Sequence, residues 1–564
     1  MKQGEQPATP TTSSGDGNGI RGRHAARRRK AATGGPARSS VLMAVATVVS
    51  RATGLIRQVL QAAALGLSQL ASTYNTANTV PTSLYTLLIG GALNAVLVPQ
   101  LVRARATHPD GGRAYEQRLV TLVVCVLGAG TALAVWATPQ IVGVYIQDTP
   151  DQHEAFQLTV TFGRFLLPQI FFYGLFGIYG QVLNAREKFG AMMWTPVLNN
   201  VVLIGMFGAY LGLMTVPGRV EDITATQVRL LGIGTTAGIA VQALALIPFA
   251  RAAGFRFRPR FDWRGTGLGS GIHAAKWTLL FVLANQVSLA VITNYANAAD
   301  AQMPKAGMGY SNYMYAQSIW MLPQSIVTVS LVTVLLPRMS RAAAEGRAAD
   351  LRADLSRALR VSGVVIVPAA FLFLALGPQI ATLMFAHGAS NAATAQPGGQ
   401  MLQAFALGLI PFSAQYLLLR GFYAFEDTRT PFFMAVWISG VNIALATACH
   451  VLLPVRWAVT GMAGAYALSY LVGLAVTARL LRRRTGGRLD DGALRRTYLK
   501  LLTAAALAAA AGWGAAQACA GFLGSGTWAT AGALAAGTLA LVLAFLALAR
   551  LLKIAELRSL PGLR

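Results

Sequence analysis

The chain has 564 residues, of which 54% are hydrophobic and only 12% are charged. Soluble domains carry about 25% charged residues, so this composition excludes an ordinary water-soluble globular protein and indicates a membrane protein. The formal net charge of +27 fits the excess of Lys and Arg on cytoplasmic loops of membrane proteins better than it fits nucleic-acid binding.

Apolar segments recur along almost the whole chain, and each is long enough to cross about 30 Å of hydrocarbon as a helix. The predicted helices, numbered 1 to 14, cover residues 41–66, 73–102, 119–145, 156–183, 190–214, 229–250, 271–297, 308–337, 358–384, 400–425, 431–453, 457–481, 498–520 and 527–550. We therefore predict an all-α polytopic membrane protein with about fourteen transmembrane helices.

The basic residues predict on which side each loop lies. With both termini inside, 38 of the 47 Lys and Arg residues fall in or beside inside segments, and four fall in outside loops. Such an asymmetry is typical of the positive-inside rule. It predicts cytoplasmic N- and C-termini, an even number of helices and a location in the cytoplasmic membrane.

An internal repeat divides the predicted helices into two lobes. A shift of 243 positions aligns residues 162–199 with residues 405–442 without a gap. The aligned pairs include Phe162 with Phe405, Pro168 with Pro411, Trp194 with Trp437 and Asn199 with Asn442. Helices 1–6 and 7–12 are therefore predicted to be pseudo-symmetric copies in the same orientation, with a substrate site between them.

The domain organisation follows from this repeat. The predicted parts are a disordered basic cytoplasmic tail (1–40), a first lobe (41–250), a basic cytoplasmic linker (251–270), a second lobe (271–481), helices 13 and 14 (498–550) and a cytoplasmic tail (551–564).

No motif in the sequence is typical of an enzyme. The chain has no phosphate-binding Gly-rich loop, no His/Cys metal cluster and no nucleophile elbow. We predict a transporter with no catalytic residue, no metal site and no bound cofactor. Its energy source is left open between the membrane potential and a monovalent cation.

Two arginines in predicted helix 1 are the most informative charges. Arg51 lies about 15 Å into the membrane, where an arginine costs about 2.5–3.5 kcal/mol even on the lenient insertion scale. All acidic residues are expected in loops or tails, so the partner of Arg51 and Arg57 would be an anionic group of the substrate, such as phosphate. The alternative is a structural arginine bonded to backbone carbonyls at a helix break.

Polar residues in predicted helices 2, 7 and 8 favour a shared central cavity. With Arg51 and Arg57, the predicted substrate-binding residues are Asn75, Asn78, Tyr85, Gln286, Ser311 and Ser318. Hydrogen bonding between helices is the alternative explanation for these polar side chains.

Several motifs resemble the MurJ/MviN family of lipid II flippases, within the multidrug/oligosaccharidyl-lipid/polysaccharide exporter superfamily. The resemblance covers about residues 41–550 and rests on Ser50-Arg51-Ala52-Thr53-Gly54-Leu55-Ile56-Arg57, Gly90-Gly91-Ala92, Leu183-Asn184, Tyr315-Ala316, Leu335-Leu336-Pro337 and Gly421-Phe422-Tyr423. It implies alternating-access flipping of an undecaprenyl-pyrophosphate-linked peptidoglycan precursor from the inner to the outer leaflet. It also implies contacts with membrane lipids and the cell-wall synthesis machinery, no nucleic acid, and a lipid-tail groove at helices 13 and 14.

The chain departs from the family pattern at several cavity positions. Where Gram-negative members have essential arginines in helices 2 and 8, this chain has Tyr85 and Ser318. Two acidic positions of the family correspond to Ser72 and Met321, so Arg51 and Arg57 are the cavity charges that carry over. Some members also bind sodium through carboxylates in the second lobe.

Three other functions were considered. A flippase for another polyprenyl-linked glycan differs from the first hypothesis in the substrate alone. A cation-coupled multidrug exporter of the same fold would need carboxylates within the membrane. A membrane scaffold without transport activity would leave the buried Arg51 unexplained.

Overall fold

The computed structural model describes residues 35–87, 110, 112–186, 188, 190–262, 268–489, 491–524 and 526–559, and every long element in this part of the chain is a helix. The helices are α1 (Gly35–Leu65), α2 (Gln69–Tyr85), α3 (Arg113–Trp136), α4a (His153–Leu166), α4b (Gln169–Asn184), α5 (Gly190–Leu213), α6 (Ala225–Leu244), α7 (Leu268–Gln302), α8 (Tyr310–Ala344), α9 (Ala348–Phe385), α10 (Ala392–Ala424), α11 (Arg429–Leu452), α12 (Val455–Thr485), α13 (Asp491–Leu523) and α14 (Thr527–Leu551).

Each predicted helix coincides with a helix of the structure, which confirms the all-α fold. Predicted helix 4 is broken at Leu167 and Pro168, and predicted helix 2 beyond residue 87 lies outside the described residues. Within the described part of the chain, eleven helical segments are long and apolar enough to cross a membrane. α1, α2 and α8, which carry most of the predicted site, adjoin or include residues outside the described part of the chain and are not among these segments.

The internal repeat is visible in the packing of the two lobes. In the first lobe α1 packs on α5, α2 and α3 pack on α4, and α6 contacts α4 and α5. In the second lobe α7 packs on α11, α8 and α9 pack on α10, and α12 contacts α10 and α11. Adding six to each helix number of the first set gives the second set, so the predicted two-lobe architecture is confirmed.

Equivalent aromatic residues hold the centre of each lobe. Phe162 of α4a and Phe405 of α10 are aligned in the repeat, and both are completely buried. Phe162 meets Tyr74 of α2 edge-on at 5.4 Å, and Phe405 meets Tyr313 of α8 edge-on at 5.0 Å. Edge-to-face pairs add about 0.5–1.5 kcal/mol beyond area burial, so each lobe fixes the helix that faces the other lobe.

α13 and α14 form a hairpin that packs on α9 of the second lobe. The two helices approach closely where Gly512 faces Gly537, because a Cβ atom on Gly512 would lie 2.7 Å from the Gly537 carbonyl oxygen. Small residues at such crossings allow membrane helices to pack through their backbones.

The expectation that all acidic residues lie in loops or tails is wrong. α7 extends to Gln302, five residues past its predicted end, so Asp300 lies on a helix that can cross a membrane. α3 begins at Arg113 and therefore includes Glu116. Both carboxylates are at most 1% exposed. Hydropathy assigned these polar stretches to loops, whereas the fold buries them against other helices.

Candidate functional site

One end of the interface between the lobes is closed by buried hydrogen bonds that join α2 to α7 and α8. We call this set the interlobe seal; it comprises Ser72, Asn75, Thr76, Thr79, Asn297, Tyr310 and Ser311. Asn75 Nδ2 donates to Ser311 Oγ at 2.9 Å, and Ser72 Oγ donates to the same hydroxyl at 3.1 Å. Asn297 Nδ2 donates to Thr76 Oγ1 at 2.9 Å.

The strength of the interlobe seal is compatible with reversible opening. Hydrogen bonds between membrane helices contribute about 0.6 kcal/mol each on average. A handful of them therefore supplies about 2–3 kcal/mol, which favours the closed arrangement without making the open one inaccessible.

The loop between α9 and α10 adds a backbone contact at the same end. The Ala389 N–H donates to the carbonyl oxygen of Ala63 at the end of α1, at 2.8 Å. Gly388 has a φ of +62°, and a Cβ atom there would lie 2.5 Å from the Ala63 oxygen. Both the conformation and the close approach require glycine.

Beside the seal lies an acidic side chain, Asp300, which forms no ion pair with a described residue. The Asp300 carboxylate lies against Gly309, with the Ser72 hydroxyl and the Tyr310 N–H as polar neighbours. Neither oxygen completes a hydrogen bond of good geometry with a described residue. Asp300 is therefore a buried polar group whose environment depends on the closed seal.

A cavity of about 430 Å³ lies between α1, α5 and α8, and we call it the arginine cavity. Gln61 of α1 donates to Asn75 Oδ1 of the seal at 2.6 Å. Arg57 lies one helical turn before Gln61, and both Arg57 and Arg51 line the cavity. Ser318 of α8 lines the facing wall. The cavity thus begins about one turn from the closed end of the interface.

The two arginines have no acidic neighbour in this cavity. Among its described lining residues none is Asp or Glu. The Arg51 side chain is exposed to the open space, whereas Arg57 is half-buried. Arg57 Nε is buried without a hydrogen-bond partner among the described residues. Two guanidinium groups held in this way can bind one anionic group with charge-assisted, bidentate hydrogen bonds.

The other predicted site residues lie elsewhere. Asn75 and Ser311 belong to the interlobe seal. Asn78 accepts a hydrogen bond from Gln169 of α4b at 3.4 Å, and the Tyr85 ring lies 4.5 Å from that of Tyr173. The eight predicted residues are therefore distributed over separate places rather than lining one cavity.

The eighth residue, Gln286, lines a second cavity of about 190 Å³ within the second lobe. This cavity lies between α7, α8, α11 and α12 and also contains Asn442. Asn442 donates to Ser288 Oγ at 2.9 Å. The side-chain oxygens of Gln286 and Asn442 have no hydrogen-bond donor among the described residues.

Most of the chain matches a known protein family. A model of the family described as "Lipid II flippase MurJ" matches residues 61–532. The chain belongs to the MurJ family. Among its relatives, a probable lipid II flippase MurJ of Rhizobium meliloti (strain 1021) is 29% identical over 474 residues, which cover 83% of this chain and 84% of the relative. A lipid II flippase MurJ of Burkholderia cenocepacia is 27% identical over 442 residues, with 77% and 81% covered.

Solved structures show the same fold as this MurJ family member. A lipid II flippase MurJ in an inward closed conformation has a TM-score of 0.71 at 19% identity, covering 91% of this chain and all of that structure. An inward-facing multidrug resistance transporter of the MATE family has a TM-score of 0.60 at 14% identity, with 79% and 96% covered.

Several residues of the site in this MurJ family member were not predicted from the sequence. Gln61 follows Arg57 by four positions and so shares its helix face. This spacing could have predicted that Gln61 belongs to the site. Asn297 is the last residue of predicted helix 7, and Asp300 lies beyond its predicted end. No sequence signal identifies which polar residues close the lobes and which remain in the cavity, because this depends on how the lobes meet.

Proposed function

We propose that the protein flips lipid II, the undecaprenyl-pyrophosphate-linked peptidoglycan precursor, from the inner to the outer leaflet of the cytoplasmic membrane. The observation that carries the proposal is the arginine cavity. It places two guanidinium groups, without acidic neighbours, between two lobes that are closed at one end. Membership of the MurJ family supports lipid II as the anion.

In this proposal Arg51 and Arg57 bind the pyrophosphate of the precursor. Ser318 and the half-exposed Gln58 are the neutral hydrogen-bonding groups beside them. The sugar and peptide occupy the space between the lobes, while the lipid tail stays in the bilayer. The interlobe seal faces outward, both termini are cytoplasmic, and opening of the seal releases the head group into the outer leaflet.

Energy for the cycle comes from the membrane potential or from a monovalent cation. A coupling cation in the second lobe would meet neutral oxygens, since Gln286 and Asn442 line the cavity there and no carboxylate is among its described lining residues. Neutral amide and hydroxyl oxygens fit Na⁺ in type but hold it less tightly than carboxylates do. The membrane potential acts directly on the charged precursor.

Depletion of the protein in its own host tests the proposal. We expect lipid II to accumulate on the inner leaflet and to fall on the outer leaflet, with its synthesis unchanged. Accumulation of a different polyprenyl-linked glycan would assign the protein to that substrate. A rise in sensitivity to cationic drugs with normal lipid II distribution would instead support a drug exporter, although the arginine cavity carries the wrong charge for cationic compounds.

A further inference from the structure

A segment that joins the two lobes alternates aromatic and basic residues. It reads Phe255-Arg256-Phe257-Arg258-Pro259-Arg260-Phe261 and has no regular secondary structure. The segment is held along the start of α3, because Gln117 Nε2 donates to the Arg256 carbonyl at 3.3 Å and the Arg260 N–H donates to Thr121 Oγ1 at 3.0 Å.

An ion pair fixes the far end of this segment. Arg118 Nε of α3 donates to Asp262 Oδ2 at 2.7 Å. The Arg118 guanidinium holds the pKa of the Asp262 carboxyl below its ordinary value, so the pair stays charged at neutral pH. Three contacts over eight residues make the segment a docked element of the first lobe.

Between this segment and the start of α3 lies a pocket of about 410 Å³, which we call the headgroup pocket. Its charged lining residues are Arg113, Glu116, Arg186, Arg256 and Arg258. Arg186 pairs with Glu116 at 2.6 Å and lies over the Phe255 ring at 5.4 Å. Glu116 is the one acidic residue among the described lining residues. The pocket therefore has an excess of three positive charges.

The pair of Arg186 and Glu116 forms a buried wall of the pocket. The Arg186 side chain is 9% exposed and that of Glu116 is 1% exposed. Arg186 also donates to the Val182 carbonyl at 3.2 Å. The three exposed arginines beside this pair, Arg113, Arg256 and Arg258, suit a phosphate group, which accepts bidentate hydrogen bonds from several directions.

The position of the pocket indicates where that phosphate comes from. α3 is apolar enough to cross a membrane, and the segment lies along its first turns, at the level of lipid head groups. Phe257 and Phe261 remain 39% and 67% exposed beside the pocket. Aromatic side chains at this depth insert between lipids, while arginines contact their phosphates.

We propose that the headgroup pocket binds the phosphate of an anionic phospholipid and that Phe257 and Phe261 contact its acyl chains. The site is separate from the arginine cavity, and it shares none of that cavity's lining residues. A soluble phosphate would be attracted by the same charges but would not need the two phenylalanines.

The first test uses the purified full-length protein and native mass spectrometry with phosphatidylglycerol and phosphatidylcholine. Arg256→Gln/Arg258→Gln should lower retention of phosphatidylglycerol by about tenfold, since each arginine near a lipid surface contributes substantially to anionic binding. The matched control Arg479→Gln/Arg483→Gln removes two exposed charges from α12. It should retain the wild-type preference for phosphatidylglycerol over phosphatidylcholine. Equal losses in both variants, or no loss in the first, would overturn the proposal.

The second test separates lipid from soluble phosphate. Excess inorganic phosphate should fail to displace phosphatidylglycerol, and Phe257→Ser/Phe261→Ser should weaken lipid retention although every charge is kept. Full displacement by inorganic phosphate, with no effect of the Phe variant, would assign the pocket to a soluble ligand. Arg113→Gln, on the α3 wall, repeats the first test without altering the segment if the double variant fails to fold.

Discussion

Asn75 of the first lobe donates its Nδ2 hydrogen bond to the Ser311 hydroxyl of the second lobe at 2.9 Å, and accepts one from Gln61 at 2.6 Å. Gln61 is one helical turn from Arg57. The chain of hydrogen bonds that starts at the closed end of the interface therefore ends one helical turn from the arginine cavity.

The seal should open during each transport cycle. In a variant with Ala at Cys125, Cys449 and Cys519, the pair Ser72→Cys/Ser311→Cys should form a disulfide, since the native hydroxyls are 3.1 Å apart. Oxidation should stop lipid II flipping in vesicles, and reduction should restore it. Each single cysteine variant should be insensitive to oxidant. Normal flipping by the cross-linked protein would show that this interface stays closed throughout.

Charge at Arg51 and Arg57 should matter more than packing. Arg51→Ala and Arg57→Ala should abolish complementation while the protein accumulates normally, and Lys should rescue in part because it keeps the charge but loses the bidentate fork. Arg57→Glu should be worse than Arg57→Ala, since it repels the anion. Ser325→Ala, in the same cavity, is the control. Normal growth with Ala at both arginines would end the pyrophosphate hypothesis.

Gly388 should be intolerant of a side chain for a steric reason specific to the lobe contact. Gly388→Ala brings a Cβ atom to 2.5 Å from the Ala63 carbonyl and should abolish complementation. Gly486→Ala is the matched control, because Gly486 has a similar φ of +66° but no atom within 4 Å of its Cβ position. It should cost about 1–2 kcal/mol of backbone strain and keep function. Equal defects would mean that strain alone is responsible.

The buried ion pair between Glu116 and Arg186 should be needed for stability. Glu116→Gln leaves a buried guanidinium uncompensated and should lower the free energy of unfolding by about 3–5 kcal/mol. Replacing both residues with Leu and Met should be milder. Arg347→Gln breaks an exposed pair with Asp350 and should leave the unfolding temperature nearly unchanged. Thermal unfolding in detergent measures all three, and a mild effect of Glu116→Gln would contradict the role of the pair.

The proposed orientation predicts which exposed positions are accessible from outside. Asp151 and Pro259 are both exposed to solvent, at opposite ends of the first lobe. With the native cysteines removed, Asp151→Cys should react with an impermeant maleimide in intact cells, and Pro259→Cys should react only after lysis. Labelling of Pro259→Cys in intact cells would contradict the proposed topology.

Much of the fold could be predicted from sequence because apolar length and repeated prolines and aromatics are local signals. Phe162 and Phe405, matched by the repeat, do occupy the same place in their lobes. The position of Arg51 and Arg57 in a common cavity followed from helical periodicity. Helical periodicity could not predict that Ser311 belongs to the seal and Ser318 to the cavity, since residues seven positions apart on one helix share a face. Which of them meets the other lobe is decided by tertiary contact.

The hairpin of α13 and α14 is attached to the second lobe through several contacts. Tyr498 donates to the Leu359 carbonyl of α9 at 3.0 Å. Lys500 donates to the Leu552 carbonyl after α14 at 2.7 Å and so holds the two helices of the hairpin together. If the lobes rock against each other, the hairpin moves together with the second lobe as one rigid body. A spin label on α14 and another on α3 would then report the state of the transporter by their separation, without touching either the arginines or the seal.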